Sequence, residues 1–238
     1  TKIIYLQIDN KIKAYGDIVP TYTWTYLGGL QGADTLGAAI TSSTLTASGA
    51  LTTDAVGVNR TITGSFVTGL GYTVSVVDGT LSVTKATVVV TANAASRAYG
   101  DANPAFTMSY TGLRNSETSS VIDTLATAAT TATLTSNVGS YTITPSGAVD
   151  NNYAFSYATG TLTVSKANLA VTADNQSREY GLANPSLTFA YSGFKNGETS
   201  AVVDTAPTIS TLATTASDVG SYTISLAGGT DNNYNLVL

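Results

Sequence analysis

The chain of 238 residues has no cysteine, no histidine, one methionine, one tryptophan and only 25 charged side chains. Each absence removes chemistry. Without histidine there is no Ser-His-Asp or Cys-His nucleophile system, and without cysteine there is no thiolate, disulfide, iron–sulfur or structural zinc site. Charge at 11% is under half the usual share, and a net charge of -5 with pI near 4.5 leaves no Lys/Arg cluster for nucleic acid or an anionic membrane. No run approaches the roughly 18 apolar residues of a membrane span, and Thr1 to Leu6 lacks the long apolar core of a signal peptide. The initial Thr, with no Met, reads as a mature or excised fragment.

What is present is hydroxyl and tyrosine. The 42 Thr and 24 Ser make up more than a quarter of the chain, and 14 Tyr supply most of the aromatic mass. Thr and Tyr favour strands. A hydrophobic share of 43% is near the globular norm, so the chain is expected to bury a core.

Self-comparison finds a period of 81 residues. It carries Lys85-Ala86 onto Lys166-Ala167, Tyr99-Gly100 onto Tyr180-Gly181, and Asn103-Pro104 onto Asn184-Pro185. Val138 to Ile143 returns as Val219 to Ile224, and Asp150-Asn151-Asn152-Tyr153 as Asp231-Asn232-Asn233-Tyr234. A diverged first copy holds Tyr15-Gly16-Asp17, Tyr26, Asp34 and Gly71-Tyr72, with three extra residues, one of them near Gly28-Gly29. The units are 1–84, 85–165 and 166–238. The third is unfinished: Gly79 to Thr84 and Gly160 to Ser165 close the first two units, and nothing in the third matches them.

Within the second unit, Thr87 to Thr91 reads as a strand, and Tyr99 to Pro104 as a turn. Phe106, Met108 and Tyr110 alternate onto one face, matched by Tyr22, Trp24 and Tyr26 and by Leu187, Phe189 and Tyr191. Asn115 to Ile122 has capping-type residues compatible with one or two helical turns. The units join without a Gly-, Pro- or Ser-rich linker at Lys85 and Lys166, which predicts semi-rigid joints.

These motifs resemble the MBG and YDG-type repeat domains of large secreted bacterial adhesins, including biofilm-matrix and haemagglutinin-like surface proteins. The carriers are the two Tyr-Gly…Asn-Pro blocks, the Val-Gly-Ser-Tyr-Thr-Ile blocks, Asp-Asn-Asn-Tyr, and Gly160 to Ala167. The resemblance implies a mostly β (α+β) fold: tandem small β-grasp-like domains with one short helix each, in an extended rod. An immunoglobulin-like β-sandwich repeat is the alternative. It implies no enzyme, no cofactor, and an extracellular stalk or spacer at a bacterial surface or in a secreted matrix. The first copy departs from the pattern with Gly69-Leu70-Gly71 before Tyr72, and the third has Leu182 in place of Asp101.

Several residues carry candidate chemistry. Asp150, Asn152, Asp231 and Asn233 are oxygen-rich enough for Ca²⁺, the plainer reading being an Asx turn. Glu117 with Asp123 and Glu198 with Asp204 are carboxylate pairs of glycosidase type; the plainer reading is a solvated short helix. Tyr22, Trp24 and Tyr26 offer a sugar-stacking platform for a carbohydrate-binding module, or else a core face. Lys2, Lys85 and Lys166 invite an isopeptide reading, against that of exposed junction residues. The expected partners are neighbouring repeats of the chain. Two further partners stay open: a glycan, and another subunit donating a strand, with Lys2 to Ile8 as a conceivable donor, to an open edge at Gly220 to Leu226 in a filament.

Overall fold

A computed structural model describes residues 1–238. The first repeat contains β1 (Lys2–Ile8), β2 (Lys11–Ala14), β3 (Trp24–Gly28), a one-turn helix α1 (Leu36–Ala39), β4 (Ile40–Thr46), β5 (Asn59–Thr68), β6 (Tyr72–Val77) and β7 (Gly79–Thr84). The second contains β8 (Ala86–Ala92), β9 (Ala95–Ala98), β10 (Met108–Thr111), a 3-10 turn at Ser119–Val121, β11 (Thr127–Ala129), β12 (Gly139–Ser146), β13 (Tyr153–Ala158) and β14 (Gly160–Ser165). The third contains β15 (Ala167–Ala173), β16 (Phe189–Ser192), a 3-10 turn at Ser200–Val202, β17 (Thr208–Thr211), β18 (Ile224–Ala227) and β19 (Tyr234–Val237). The chain is mostly β.

Each repeat builds two sheets. The head sheet puts its first strand in the middle: β3-β1-β6, then β10-β8-β13, then β16-β15-β19. The last member runs parallel to the centre, as in Lys2↔Tyr72 and Ala167↔Tyr234. The tail sheet puts the closing strand inside: β2-β7-β5-β4 in the first repeat and β11-β12-β14-β9 in the second. Period-2 alternation explains the centres, because Ile4, Leu6 and Ile8 of β1, and Val88 and Val90 of β8, are fully buried while their neighbours face outward. The closing strands follow the same rule with Leu81, Leu162 and Val164.

In the third repeat the tail sheet is only β17-β18. The eight-residue β12 shrinks to the four-residue β18, and the counterpart of β9 forms no strand. Both lose the partner that would lie between them, and an unpaired edge is weakly held.

One of the first repeat's extra residues is visible as a register shift between Tyr5 and Leu6, where Tyr5 faces Gly28. The one or two helical turns expected over Asn115 to Ile122 come down to one, a 3-10 turn at Ser119–Val121. Asn115 and Ser116 have φ of 52° and 60°, which builds a tight reversal instead.

Contacts group the chain into two compact units. One holds Thr1–Val90, Ser109–Thr127 and Ser146–Ala158. Its cores centre on Ile4, Leu6 and Tyr72, on Ile8, Ile62 and Leu81, and on Tyr15, Val83, Val88 and Tyr153. The other holds Thr91–Met108, Ala128–Pro145 and Thr159–Leu238, with cores around Ala92, Ile143 and Leu162 and around Tyr99, Val164, Leu169 and Tyr234. The division falls inside the second repeat, so each unit contains one complete meeting of a repeat's tail with the next repeat's head.

Candidate functional site: the junction between repeats

The Tyr-Gly pair lies at the centre of a β-turn. Asp17 N–H bonds Ala14 O and Asp101 N–H bonds Ala98 O, with Gly16 and Gly100 both at φ +77°. The glycine is required twice over. Besides the positive φ, a Cβ on Gly16 would stand 2.2 Å from Arg114 Cβ, and one on Gly100 would stand 2.3 Å from Lys195 Cβ. The next repeat's long cationic side chain lies against the turn at both places.

A basic residue two positions earlier clasps the turn from behind. Arg97 donates to Asn103 Oδ1 at 2.7 Å, to Ala98 O at 3.0 Å and to Thr133 O, while Asn103 Nδ2 donates to Ala132 O at 2.8 Å. Arg178 repeats the set on Asn184, Glu179 and Thr214. Lys13 takes the role in the first repeat, bonding Asp17 O and Thr52 O. This accounts for Asn-Pro following Tyr-Gly. The clasp stands in the sequence as a basic residue two positions before each tyrosine, in Lys13-Ala14-Tyr15, Arg97-Ala98-Tyr99 and Arg178-Glu179-Tyr180.

The tyrosine enters the head sheet of the following repeat and meets a shared carboxylate. Tyr15 Oη donates to Glu117 Oε1 at 2.5 Å and Tyr153 Oη donates to Glu117 Oε2 at 2.6 Å. In the other unit Tyr99 and Tyr234 bond the two oxygens of Glu198 at 2.6 and 2.5 Å. The ring pairs are edge-to-face, at 5.4 Å and 85° for Tyr15–Tyr153 and at 5.5 Å and 81° for Tyr99–Tyr234. Tyr153 and Tyr234 also accept from Arg114 N and Lys195 N, both at 2.8 Å.

Burial first, then the bond to the glutamate, pushes Tyr153 and Tyr234 up to about 12. Tyr15 and Tyr99 are raised mainly by that bond and then by burial. A neutral tyrosine donates to a carboxylate, whereas a tyrosinate beside one would repel it, so the knot holds its phenolic protons.

Glu117 therefore does not belong to a solvated helix, as the sequence led us to expect. The reversal through Asn115 and Ser116, closed by Glu117 N–H to Arg114 O at 2.9 Å, aims it inward. Asn196 and Gly197 do the same for Glu198, with φ of 52° and 73°. Asp123 and Asp204 stand apart from these glutamates in function: each accepts from the Asp-Asn-Asn turn, from Asn151 Nδ2 and Asn232 N.

The four oxygen-rich residues bond backbone. Asp150 Oδ1 accepts from Asn152 N and Tyr153 N at 2.7 and 3.0 Å, and Asp231 Oδ1 does likewise for Asn233 and Tyr234 at 2.7 and 2.8 Å. Asn152 Oδ1 then accepts from Val56 N and Asn233 Oδ1 from Val138 N, each at 3.0 Å, bolting the turn to the preceding repeat. Lys85 and Lys166 donate to the backbone carbonyls of Asp150 and Asp231 at 2.7 and 2.6 Å, not to a side-chain carboxyl or amide.

The first repeat's head is built otherwise. Asp34 stands where the glutamates stand, and accepts from Tyr72 Oη and from Lys2 Nζ, both at 2.8 Å. Gln31 replaces the arginine or lysine, and Gly71 replaces the bolting asparagine. Tyr22, Trp24 and Tyr26 are half-buried and lean inward. Trp24 meets Phe66 edge-on at 5.9 Å and donates to Ser43 Oγ, and Tyr26 Oη accepts from Leu30 N.

The fold and its junctions define a tandem-repeat β protein in which the first and second repeats each seat a Tyr-Gly turn in the repeat that follows. The family model described as MBG domain (YGX type) matches residues 4–82, 88–163 and 169–238, and the chain belongs to that family. No curated protein and no solved structure matches the chain.

Proposed function

We propose that the chain is a non-enzymatic spacer: a run of structural repeats in a bacterial cell-surface or biofilm-matrix adhesin, holding an adhesive region away from its anchor. The observation that carries this reading is the recurrence of one junction, Tyr-Gly turn, glutamate and second tyrosine, at both meetings of repeats. A spacer needs joints that resist bending. A buried knot with a cation packed on a glycine and an asparagine bolted to the preceding repeat restricts a joint far more than a flexible linker does. Low charge and a hydroxyl-rich surface suit an inert extracellular segment. Small-angle scattering tests the proposal: an extended particle with a narrow distribution of lengths is expected, and a compact globule or a broad range of bend angles overturns it.

A further inference from the structure

We infer that each junction is a site of oxidative cross-linking, at which a one-electron oxidant of the peroxidase type joins the two tyrosines of the knot through their ring carbons. The pairs are Tyr15 with Tyr153 and Tyr99 with Tyr234, and each bond ties one repeat covalently to the next. The inference rests on the geometry of the knot and does not depend on the spacer reading.

Two phenols couple when each has lost an electron and a proton and their ortho carbons lie close together. The knot supplies both the proton acceptor and the closeness. The hydroxyls of Tyr15 and Tyr153 sit 2.5 and 2.6 Å from the two oxygens of Glu117, and those of Tyr99 and Tyr234 sit 2.6 and 2.5 Å from the two oxygens of Glu198. A phenol that gives up an electron becomes a strong acid, so its proton crosses this bond to the carboxylate as the electron leaves. A radical cation left uncompensated in a dry site is costly, and a base already in hydrogen-bond contact decides which tyrosines hold the radical. The ring centres are 5.4 and 5.5 Å apart, and both hydroxyls of a pair converge on one carboxylate, which brings together the ring edges beside the hydroxyls. Held in this way, the two radicals meet without diffusion.

The atoms balance. Each tyrosine gives one electron to the oxidant and one phenolic proton to the glutamate, which passes it on to solvent. The two radicals pair their electrons in a carbon–carbon bond between ortho positions. The hydrogen on each of those carbons then leaves as a proton while its phenol oxygen takes one up, so both hydroxyls are restored. The pair has lost two hydrogens in all. The two electrons and two protons convert one hydrogen peroxide into two waters through the ferryl haem of the peroxidase.

The two junctions differ in how the electron gets out. All four rings are between 1% and 7% exposed, so the oxidant does not touch them. At the second junction a series of rings leads outward: Tyr234 meets Phe194 at 5.6 Å, Phe194 meets Tyr191 at 5.5 Å, and Tyr191 is only half-buried. At the first junction Leu113 stands in the place of Phe194 and breaks the series. Tyr99 and Tyr234 are therefore joined ahead of Tyr15 and Tyr153.

The test exposes the intact 238-residue chain, at a dilution that suppresses links between molecules, to a haem peroxidase and hydrogen peroxide. Expected in the monomer fraction are dityrosine fluorescence and a mass lower by two hydrogens for each pair joined. Digestion should yield peptides linked at Tyr99 and Tyr234 before peptides linked at Tyr15 and Tyr153. Glu198→Gln keeps the size of the side chain but takes up no proton, and should slow the Tyr99–Tyr234 link by about 100-fold while Tyr15–Tyr153 forms at its usual rate in the same molecule. Phe194→Leu installs the residue that the first junction already uses, so the fold stands, and it should remove the lead of the second junction. A monomer without mass loss, links confined to the exposed Tyr5, Tyr157, Tyr180 and Tyr222, or a Glu198→Gln chain that links Tyr99 to Tyr234 as fast as the native one overturns the inference.

Discussion

The tails of the second and third repeats share their Tyr-Gly, Asn-Pro and Val-Gly-Ser-Tyr-Thr-Ile blocks at an 81-residue offset, the third has no counterpart of the closing strand, and the two stand in different states. Tyr99 is 4% exposed and bonded to Glu198, whereas Tyr180 is 66% exposed. A Cβ on Gly100 would strike Lys195, whereas one on Gly181, at φ +83°, would meet nothing within 4 Å. Val138 N–H is bolted by Asn233, and its counterpart Val219 is 91% exposed. The turn itself survives in both, since Leu182 N–H still bonds Glu179 O as Asp101 N–H bonds Ala98 O. The Tyr-Gly turn is therefore a local structure, set by glycine and the arginine clasp. Burial of its tyrosine is contributed by the repeat's own closing strand, through Val164, and by the next repeat, through Leu169 and Tyr234.

The comparison breaks most forcefully at the shared carboxylate. Glu198→Ala leaves the hydroxyls of Tyr99 and Tyr234 without their acceptor, and two hydrogen bonds to a charged group put the cost at about 3–5 kcal/mol. Tyr180→Phe, in the open tail, should change stability by less than about 0.5 kcal/mol. Urea unfolding of both variants measures the contrast. Equal effects would mean that the knot does not stabilise the junction.

Alkaline titration sharpens the same point. The native fold holds the protons of Tyr153 and Tyr234 up to about 12, against 10.0 for an ordinary tyrosine. Their contribution to stability is thus complete below pH 10 and is lost as pH rises through about 12. Absorbance of tyrosinate should show a late-titrating class whose ionisation coincides with unfolding. Glu198→Gln should bring Tyr234 down while leaving Tyr153, held by Glu117, in place as an internal control.

Next in size is the glycine. Gly100→Ala meets both a positive φ and the Lys195 side chain, costing about 3 kcal/mol, while Gly181→Ala meets the φ penalty alone, at about 1 kcal/mol. Equal midpoints in urea would deny the close approach of the two repeats. In the opposite direction, Ser116→Gly relieves a non-glycine residue at φ 60° in the reversal that aims Glu117, and should stabilise by about 1 kcal/mol. Gly197 already holds that place in the other junction.

Much of this was legible in the sequence. Thr87 to Thr91 reads as a strand and lies within β8, an ungapped offset exposes the repeats, and Gly160 to Ser165, unmatched in the third repeat, corresponds to a tail sheet there of only β17-β18. The junction was not legible, because comparing a repeat with its own copy aligns like with like. Tyr15 bonds Glu117 at a separation of 102 residues, and Asn152 bonds Val56 at 96, each joining unlike parts of neighbouring repeats. The usable signal was covariation in kind: Arg114-x-x-Glu117 and Lys195-x-x-Glu198 recur with Asp17 and Asp101 placed one turn away in the preceding repeat. Asn-Ser and Asn-Gly before those glutamates signalled a reversal, and the neighbouring Thr and Ser drew the helical reading instead.

The smallest effect decides whether the two tails differ by their own residues or by what they meet. Asp101 pairs with Lys195 at 3.0 Å, and Leu182 occupies the same place in the open tail. The side chains are 47% and 39% exposed, so solvent and salt screen the pair, and Asp101→Leu should cost no more than about 0.5 kcal/mol, vanishing in 1 M salt. Gly100, Glu198 and Tyr234 remain in that variant, so the tyrosine should stay buried and its fluorescence unchanged. A larger loss, or exposure of Tyr99, would instead place the difference in position 101, with Leu182 marking a tail unsuited to a further head.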